Sequence, residues 1–403
     1  MPDIRRTRLA VAACGALLLG CSTAPTEPVG TTGGYSTDLP AADAQTLAAR
    51  GTVVSSTTNT GFDAADFPAG ATAATFVYNS VSGVTGAGIE VTGALFVPTG
   101  PAPAGGRPVV AYAHGTVGIA PGCAPTETPQ LSGDAGKVAY FIGLGYAVVY
   151  TDYLGLSGEV TAPAHPYLEP RTAAFDVIDS VRAARNLDPT LSTEWVAVGT
   201  SQGGQAAWAA SEFDGIYGDG LDLVGAAALA PALDVSPIVA DAQTSSISGG
   251  QRSLYPLIVQ GLAAVDPAIV PSDHLHGTLG DNAEALAACD PASAMARSLA
   301  DADVQLGDTT AESTEAADRL RKRLQDYSLP KAASAAPILA VYGGADDIVR
   351  PEWTETALAR ACGYGDTLLA VRLEGQGHSV DAGALLETWI ADRFTGLPAP
   401  SNC

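Results

Sequence analysis

Six short runs in this chain are apolar at nearly every position: residues 108–113, 146–150, 195–199, 223–230, 338–342 and 368–373. A strand with one face in water alternates apolar and polar side chains, so a strand without alternation is buried on both faces. Residues 75–80 and 89–97 do alternate, and read as an antiparallel opening pair. Between these segments lie helix-like stretches at 131–144, 172–186, 203–213, 352–361 and 380–393. Strand and helix in alternation predict an α/β fold, a mostly parallel sheet flanked by helices. Of 403 residues, 47% are apolar and 16% charged, enough apolar material for one large core and too little charge for a disordered chain.

One interval breaks the rhythm. From Pro231 to Pro337 no convincing strand occurs; residues 252–265 are helix-like despite Pro256, and 312–327 form a charged amphipathic helix. An insertion of this length exceeds a connecting loop. It predicts a helical cap, residues 234–335, over the carboxyl end of the sheet, where open α/β folds bind ligands. The core is then divided into 49–233 and 336–403.

At the amino end Arg5, Arg6 and Arg8 precede an apolar run that stops at Gly20 and Cys21. The run is too short to span a membrane and reads as an export signal, residues 1–20. Leu18-Leu19-Gly20-Cys21 resembles the bacterial lipobox, which implies a lipid on Cys21; an ordinary signal with an incidental cysteine is the alternative. Residues 21–48, rich in Thr, Pro, Gly and Ala, read as a tether. Without residues 1–20 the chain keeps 17 basic and 42 acidic side chains, a net charge of −25. That charge repels nucleic acid and anionic bilayers, so membrane attachment is expected only through the lipid. Beyond Cys14 and Cys21, four cysteines remain, at 123, 289, 362 and 403. In an oxidising compartment they predict two disulfides, with three pairings open. None sits at Cys-x-x-Cys spacing, and nothing in the sequence calls for a metal or an organic cofactor.

Gly199-Thr200-Ser201-Gln202-Gly203 follows an apolar strand and opens a helix of small residues. A Gly-x-Ser-x-Gly string in that setting is the nucleophile elbow of the α/β-hydrolase fold, with Gly199 and Gly203 allowing neighbouring backbones to approach. Ser201 needs a base, and the fold's order of serine, acid, histidine excludes His114 and His165. His274 and His276 lie in the expected cap and read as a solvated loop pair. His378, in Gly375-Gln376-Gly377-His378-Ser379 after the last strand, is the expected base. The acid belongs after the preceding strand, in Gly343-Gly344-Ala345-Asp346-Asp347; Asp346 is favoured, but spacing does not separate it from Asp347. Two backbone N–H groups must receive the oxyanion. Gln202 supplies one, and Thr116, in the turn after strand 108–113, is expected to supply the other.

These residues, with Ala113-His114-Gly115-Thr116, Thr151-Asp152-Tyr153, His165-Pro166-Tyr167-Leu168 and Asp346-Asp347-Ile348-Val349, resemble the secretory lipase family from about Thr75 to Cys403. The resemblance implies Ser201, Asp346 and His378 as catalytic triad, a cap before the acid-bearing strand, and the disulfides Cys123–Cys289 and Cys362–Cys403. Asp152 and His165 are read as structural. Two departures stand out: Arg350 where relatives often carry proline, and Thr200 where His or Tyr is frequent, which is expected to reshape the acyl pocket. The expected function is ester hydrolysis through an acyl-enzyme, by an exported monomer acting on a small-molecule or lipid ester. Segment 254–259 is expected to line an acyl tunnel or to form the cap's own core, with the core favoured. A peptidase of the prolyl oligopeptidase type shares the machinery, but no propeller-length region precedes the core. An inactive surface-binding lipoprotein is disfavoured by the intact triad.

Overall fold

The computed structural model describes residues 41–58, 61–62, 71–244, 246–291, 293–294, 298, 302–305 and 307–403. The expected export signal, Cys21 and the tether up to residue 40 lie outside the described residues. Helix α1 (Ala44–Ala49) precedes β1 (Val53–Thr58), β2 (Thr72–Val81), β3 (Gly88–Val97) and β4 (Arg107–Ala113). Then come α2 (Ala135–Gly143), β5 (Ala147–Thr151), α3 (Pro170–Leu187), β6 (Leu191–Thr200), α4 (Gln202–Tyr217) and β7 (Asp222–Leu229). The interval without strands holds α5 (Ile238–Thr244), α6 (Gly249–Ala263), α7 (Gly277–Asp281), α8 (Ala283–Ala287) and α9 (Thr314–Tyr327). The chain closes with β8 (Ile338–Gly343), α10 (Pro351–Tyr364), β9 (Leu368–Leu373) and α11 (Gly383–Phe394).

The strands form one sheet in the order β1-β2-β3-β5-β4-β6-β7-β8-β9. Pairings from β1 to β5 are antiparallel, and all six continuous apolar runs become the parallel strands β4 to β9. The pleat sorts their side chains by alternate positions. Val109, Ala111, Val149, Ala197 and Ala228 join the core beneath α3, α4 and α10, while Val110, Val148, Val198 and Val341 pack against α2 and α11. The lack of alternation in sequence is thus two buried faces read in turn. This is the α/β-hydrolase fold.

Two elements run against expectation. Helix α1 lies almost wholly inside the stretch read as tether: Asp43 accepts the Thr46 N–H at 2.7 Å and Leu47 packs on the core, so residues 43–48 belong to the folded domain. Strand β1 has an almost fully exposed side-chain pattern, so it carries no burial signal and is held by main-chain pairing to β2.

Among the described residues of 234–335 none is in a strand. The inserted helices bury their own cluster, including Tyr255, Val259, Leu262, Leu279 and Leu320. Pro256 lies inside α6. His274 is not solvated as expected: the short turn Pro271–Asp273 carries it inward, where it is buried and neither ring nitrogen finds a hydrogen-bond partner among the described residues. Cys123–Cys289 and Cys362–Cys403 are both formed. The first joins the segment after β4 to the inserted helices; the second pins the carboxyl terminus to α10. No helix among the described residues is long and apolar enough to cross a membrane.

Carboxyl groups packed behind the sheet give the fold a pH dependence of definite sign. Burial pushes Asp179 and Glu212 up to about 7, and Asp214 up to about 6. Each binds its proton more tightly in the folded chain, so each stabilises fully below its unfolded pKa and loses that contribution as pH rises through 6–7. Burial lowers His165 to about 4 and shifts His274 downward, and these two act with the opposite slope. Asp179 and Glu212 are each worth roughly 2 kcal/mol between about pH 5.5 and pH 7, so the acids prevail. A thermal melt is expected to show a midpoint a few degrees higher at about pH 5.5 than at about pH 8. A midpoint that rises over that interval would contradict these assignments.

Candidate active site

Strand β6 ends just before Ser201, whose φ of 59° and ψ of −116° are strained for a residue with a Cβ. The turn is that sharp because the backbones on either side nearly touch. A Cβ on Gly199 would lie 2.1 Å from the Gly203 carbonyl oxygen, and one on Gly203 would lie 1.9 Å from that of Ala113. Ser201 N–H donates to Leu229 at 2.8 Å, and the Ser201 carbonyl accepts from Gln205 at 3.0 Å and Ala232 at 3.1 Å. The hydroxyl is thereby fixed above the carboxyl edge of the sheet.

Ser201 Oγ lies 2.8 Å from His378 Nε2, and His378 Nδ1 lies 2.8 Å from Asp346 Oδ2. A carboxylate only accepts, so Nδ1 carries the proton and Nε2 is free to take one from the serine. The other oxygen of Asp346 accepts the N–H groups of Ile348 at 2.9 Å and Val349 at 3.0 Å. Its side chain is 1% exposed, against 19% for His378. Asp347, next in sequence, is exposed, and among the described residues it bonds through its carbonyl, which accepts from Ser248 Oγ at 2.7 Å. The turns that bear Asp346 and His378 are tied directly, Ala345 N–H donating to the Gln376 carbonyl at 2.8 Å. That approach needs Gly343, where a Cβ would meet the Gly377 oxygen at 2.1 Å.

Gln202 is the first residue of α4, so its N–H has no intrahelical acceptor and sits at the positive end of the helix. Among the described residues neither this N–H nor that of Thr116 is hydrogen-bonded. The side chains around them come from one turn: Tyr167 Oη meets Thr116 Oγ1 at 2.6 Å, and His165 Nε2 meets Gln202 Nε2 at 2.8 Å. His165, expected to be merely structural, thus contacts a residue of the elbow, which no spacing in the sequence signals. Asp152 does play a structural part, accepting from Thr92 and from Thr126 in the buried region below.

Ser201 opens into an apolar slot of about 20 Å³, lined by Tyr167, Ala232, Leu254, Ile258, Val349 and Trp353. Segment 254–259 is therefore divided: Leu254 and Ile258 face the slot, while Tyr255 and Val259 belong to the core of the inserted helices. Thr200 does not border this slot. Its side chain follows the pleat to the other face and lines a separate groove of about 460 Å³ with Tyr112, Phe141, Leu229 and Leu386. Arg350 forms an ion pair with Asp241 at 3.2 Å and donates to the Ser246 carbonyl at 3.1 Å, and so fastens the inserted helices to the loop that bears Asp346. Among the described residues no group of three or more His, Cys, Asp or Glu is arranged to hold a metal ion.

In fold the chain is similar to Candida antarctica lipase A in its closed state, with a TM-score of 0.69 and 16% identity over 88% of this chain and 86% of that one. It is also similar to the rice cell wall degrading esterase LipA of Xanthomonas oryzae, with a TM-score of 0.61 and 22% identity over 86% of this chain and 96% of that one. A Legionella pneumophila structure superposes with a TM-score of 0.68 at 17% identity over 85% of this chain and 97% of that one. No curated protein sequence matches the chain significantly. The profile of the secretory lipases matches residues 123–402, the stretch that holds the Cys123–Cys289 disulfide, Ser201, Asp346 and His378. The chain belongs to the secretory lipase family, a family of ester hydrolases.

Proposed function

We propose that this protein is an exported serine ester hydrolase that works through an acyl-enzyme, with Ser201 as nucleophile, His378 as base and Asp346 as the orienting acid. One observation carries the reading: an unbroken hydrogen-bonded line from Ser201 through His378 to Asp346, beside two backbone N–H groups without a partner among the described residues. Ser201 Oγ attacks the ester carbonyl carbon as its proton passes to His378 Nε2. The carbonyl oxygen becomes an oxyanion received by the Thr116 and Gln202 N–H groups, worth about 3 kcal/mol each in the transition state. Collapse expels the alcohol, which takes the proton from His378. Water, deprotonated by His378, then attacks the acyl carbon, and Ser201 leaves with the proton as the acid departs.

Residues 234–335 serve in this proposal as a cap, and the acyl chain lies in the slot beneath it. The slot is narrow, with about 20 Å³ of free space, and in this proposal the cap moves outward to admit a longer acyl chain. Ile258→Trp is expected to lower kcat/KM for a decanoyl ester at least about tenfold while leaving an acetyl ester within about threefold. Equal losses on both esters would place the acyl chain elsewhere.

The overall test is turnover of p-nitrophenyl esters of graded length beside a series of peptide p-nitroanilides, with a fluorophosphonate to titrate the nucleophile. Ester cleavage and one equivalent of label on Ser201 are expected; cleavage of the anilides alone would turn the reading to a peptidase. Export and a lipid on Cys21 belong to the same proposal and rest on the sequence. Lipid labelling that survives Cys21→Ser would remove the anchor from it.

A further inference from the structure

We propose that the turn 165–168 is a clamp that sets both oxyanion donors, with Tyr167 positioning Thr116 and His165 positioning Gln202. This rests on the oxyanion assignment above and adds two positioning residues that do not touch the reacting atoms.

Thr116 follows β4 in a segment without regular structure, so no helix or ladder fixes its N–H. Its hydroxyl has one side-chain partner, Tyr167 Oη at 2.6 Å. Tyr167 is itself immobilised. It is 3% exposed, its N–H donates to the His165 carbonyl at 2.9 Å, and the next residue, Leu168, is held at a φ of 63°. Helix α6 presses on it from above: a Cβ added to Gly261 would fall 2.4 Å from the Tyr167 Cβ. Tyr167 is therefore wedged between the inserted helices and the turn that bears Thr116.

The second arm is a directed hydrogen-bond chain. His165 Nδ1 faces the Leu154 carbonyl at 2.8 Å; a carbonyl only accepts, so Nδ1 bears the proton and Nε2 is a bare acceptor. Gln202 Nε2 donates to it at 2.8 Å, and one turn later Gln205 Nε2 donates to the Leu168 carbonyl at 3.2 Å. The first turn of α4 is thus tied at two points to the turn that holds Tyr167. Oxyanion donors stabilise charge only when aimed in advance, and small displacements are costly. One four-residue turn grips both residues from which the donors come, whereas the sequence separates them by more than eighty positions.

The test compares Tyr167→Phe, Thr116→Val and the double variant in kcat, KM, thermal midpoint and affinity for an aryl boronic acid, which forms a tetrahedral adduct. Tyr167→Phe is expected to lower kcat about tenfold with KM within about twofold, and to weaken the boronic acid about as much as it lowers kcat/KM. Because both single variants break the same hydrogen bond, the double variant should be little worse than either. His165→Leu should lower kcat about fivefold, and His165→Gln, which keeps an acceptor at similar reach, should recover most of it. If His165→Leu does not fold, Tyr167→Phe, which removes a single oxygen, still decides. Wild-type kcat in Tyr167→Phe, or single losses that multiply in the double variant, overturns the clamp. With Ser201→Ala inactive, such a result sinks the clamp alone; an active Ser201→Ala sinks the oxyanion assignment as well.

Discussion

Ser201→Ala is expected to lower kcat on p-nitrophenyl esters by about 10⁴- to 10⁶-fold, with the melting midpoint within a few degrees of wild type. The loss is large because, among the described residues, Ser201 Oγ is the hydroxyl hydrogen-bonded to His378 Nε2. The small stability change follows from what holds the elbow. Its backbone is fixed by main-chain bonds to Leu229, Gln205 and Ala232 and by the glycines at 199 and 203, while Oγ contributes one bond to a partly exposed imidazole. His378→Ala should cost a comparable factor. The double variant should cost no more than either, because nucleophile and base act as one unit. Wild-type burst amplitude with p-nitrophenyl acetate in Ser201→Ala would remove the serine from the mechanism.

The two neighbouring aspartates should separate sharply. Asp346→Asn is expected to reduce kcat by about 10³- to 10⁴-fold, and Asp347→Asn to leave it within about twofold. In Asp346→Asn the amide can present its N–H₂ to His378 Nδ1, which must then be the acceptor. The ring proton moves to Nε2, where it blocks removal of the serine proton. The oxygen that receives Ile348 and Val349 would be kept, so the turn survives while the tautomer is wrong. Asp347 is exposed and bonds through its main chain, so losing its charge has no route to the imidazole. Inverted outcomes in steady-state kinetics would transfer the acid's role to Asp347.

How much was legible in advance followed from the range of the interactions involved. The parallel strands were legible because burial on both faces leaves a continuous apolar run, and β9 spans the same residues 368–373 that the run marks. The elbow was legible because its five-residue motif is contiguous and Gly199 is demanded by Gly203, four positions on; the Ala113 carbonyl that demands glycine at 203 is distant in the chain and could not be read from it. His378 followed from chain order once the other histidines were set aside. Strand β1 was not legible, since exposed Ser and Thr side chains say nothing about main-chain pairing. Neither was the inward turn of His274, nor the face to which Thr200 points, which the pleat at the end of β6 decides.

What the residue order determined by itself was the alternation of buried strands and helices, the site of the sharp turn and the candidates for nucleophile and base, because burial patterns and contiguous motifs encode these locally. What only the tertiary structure decided was which aspartate faces the imidazole, that Tyr167 and His165 grip Thr116 and Gln202, and that Leu254 and Ile258 alone of their segment face the serine. Those are contacts between segments tens to hundreds of residues apart. Their geometry depends on how strands register and helices pack, and no local pattern records it.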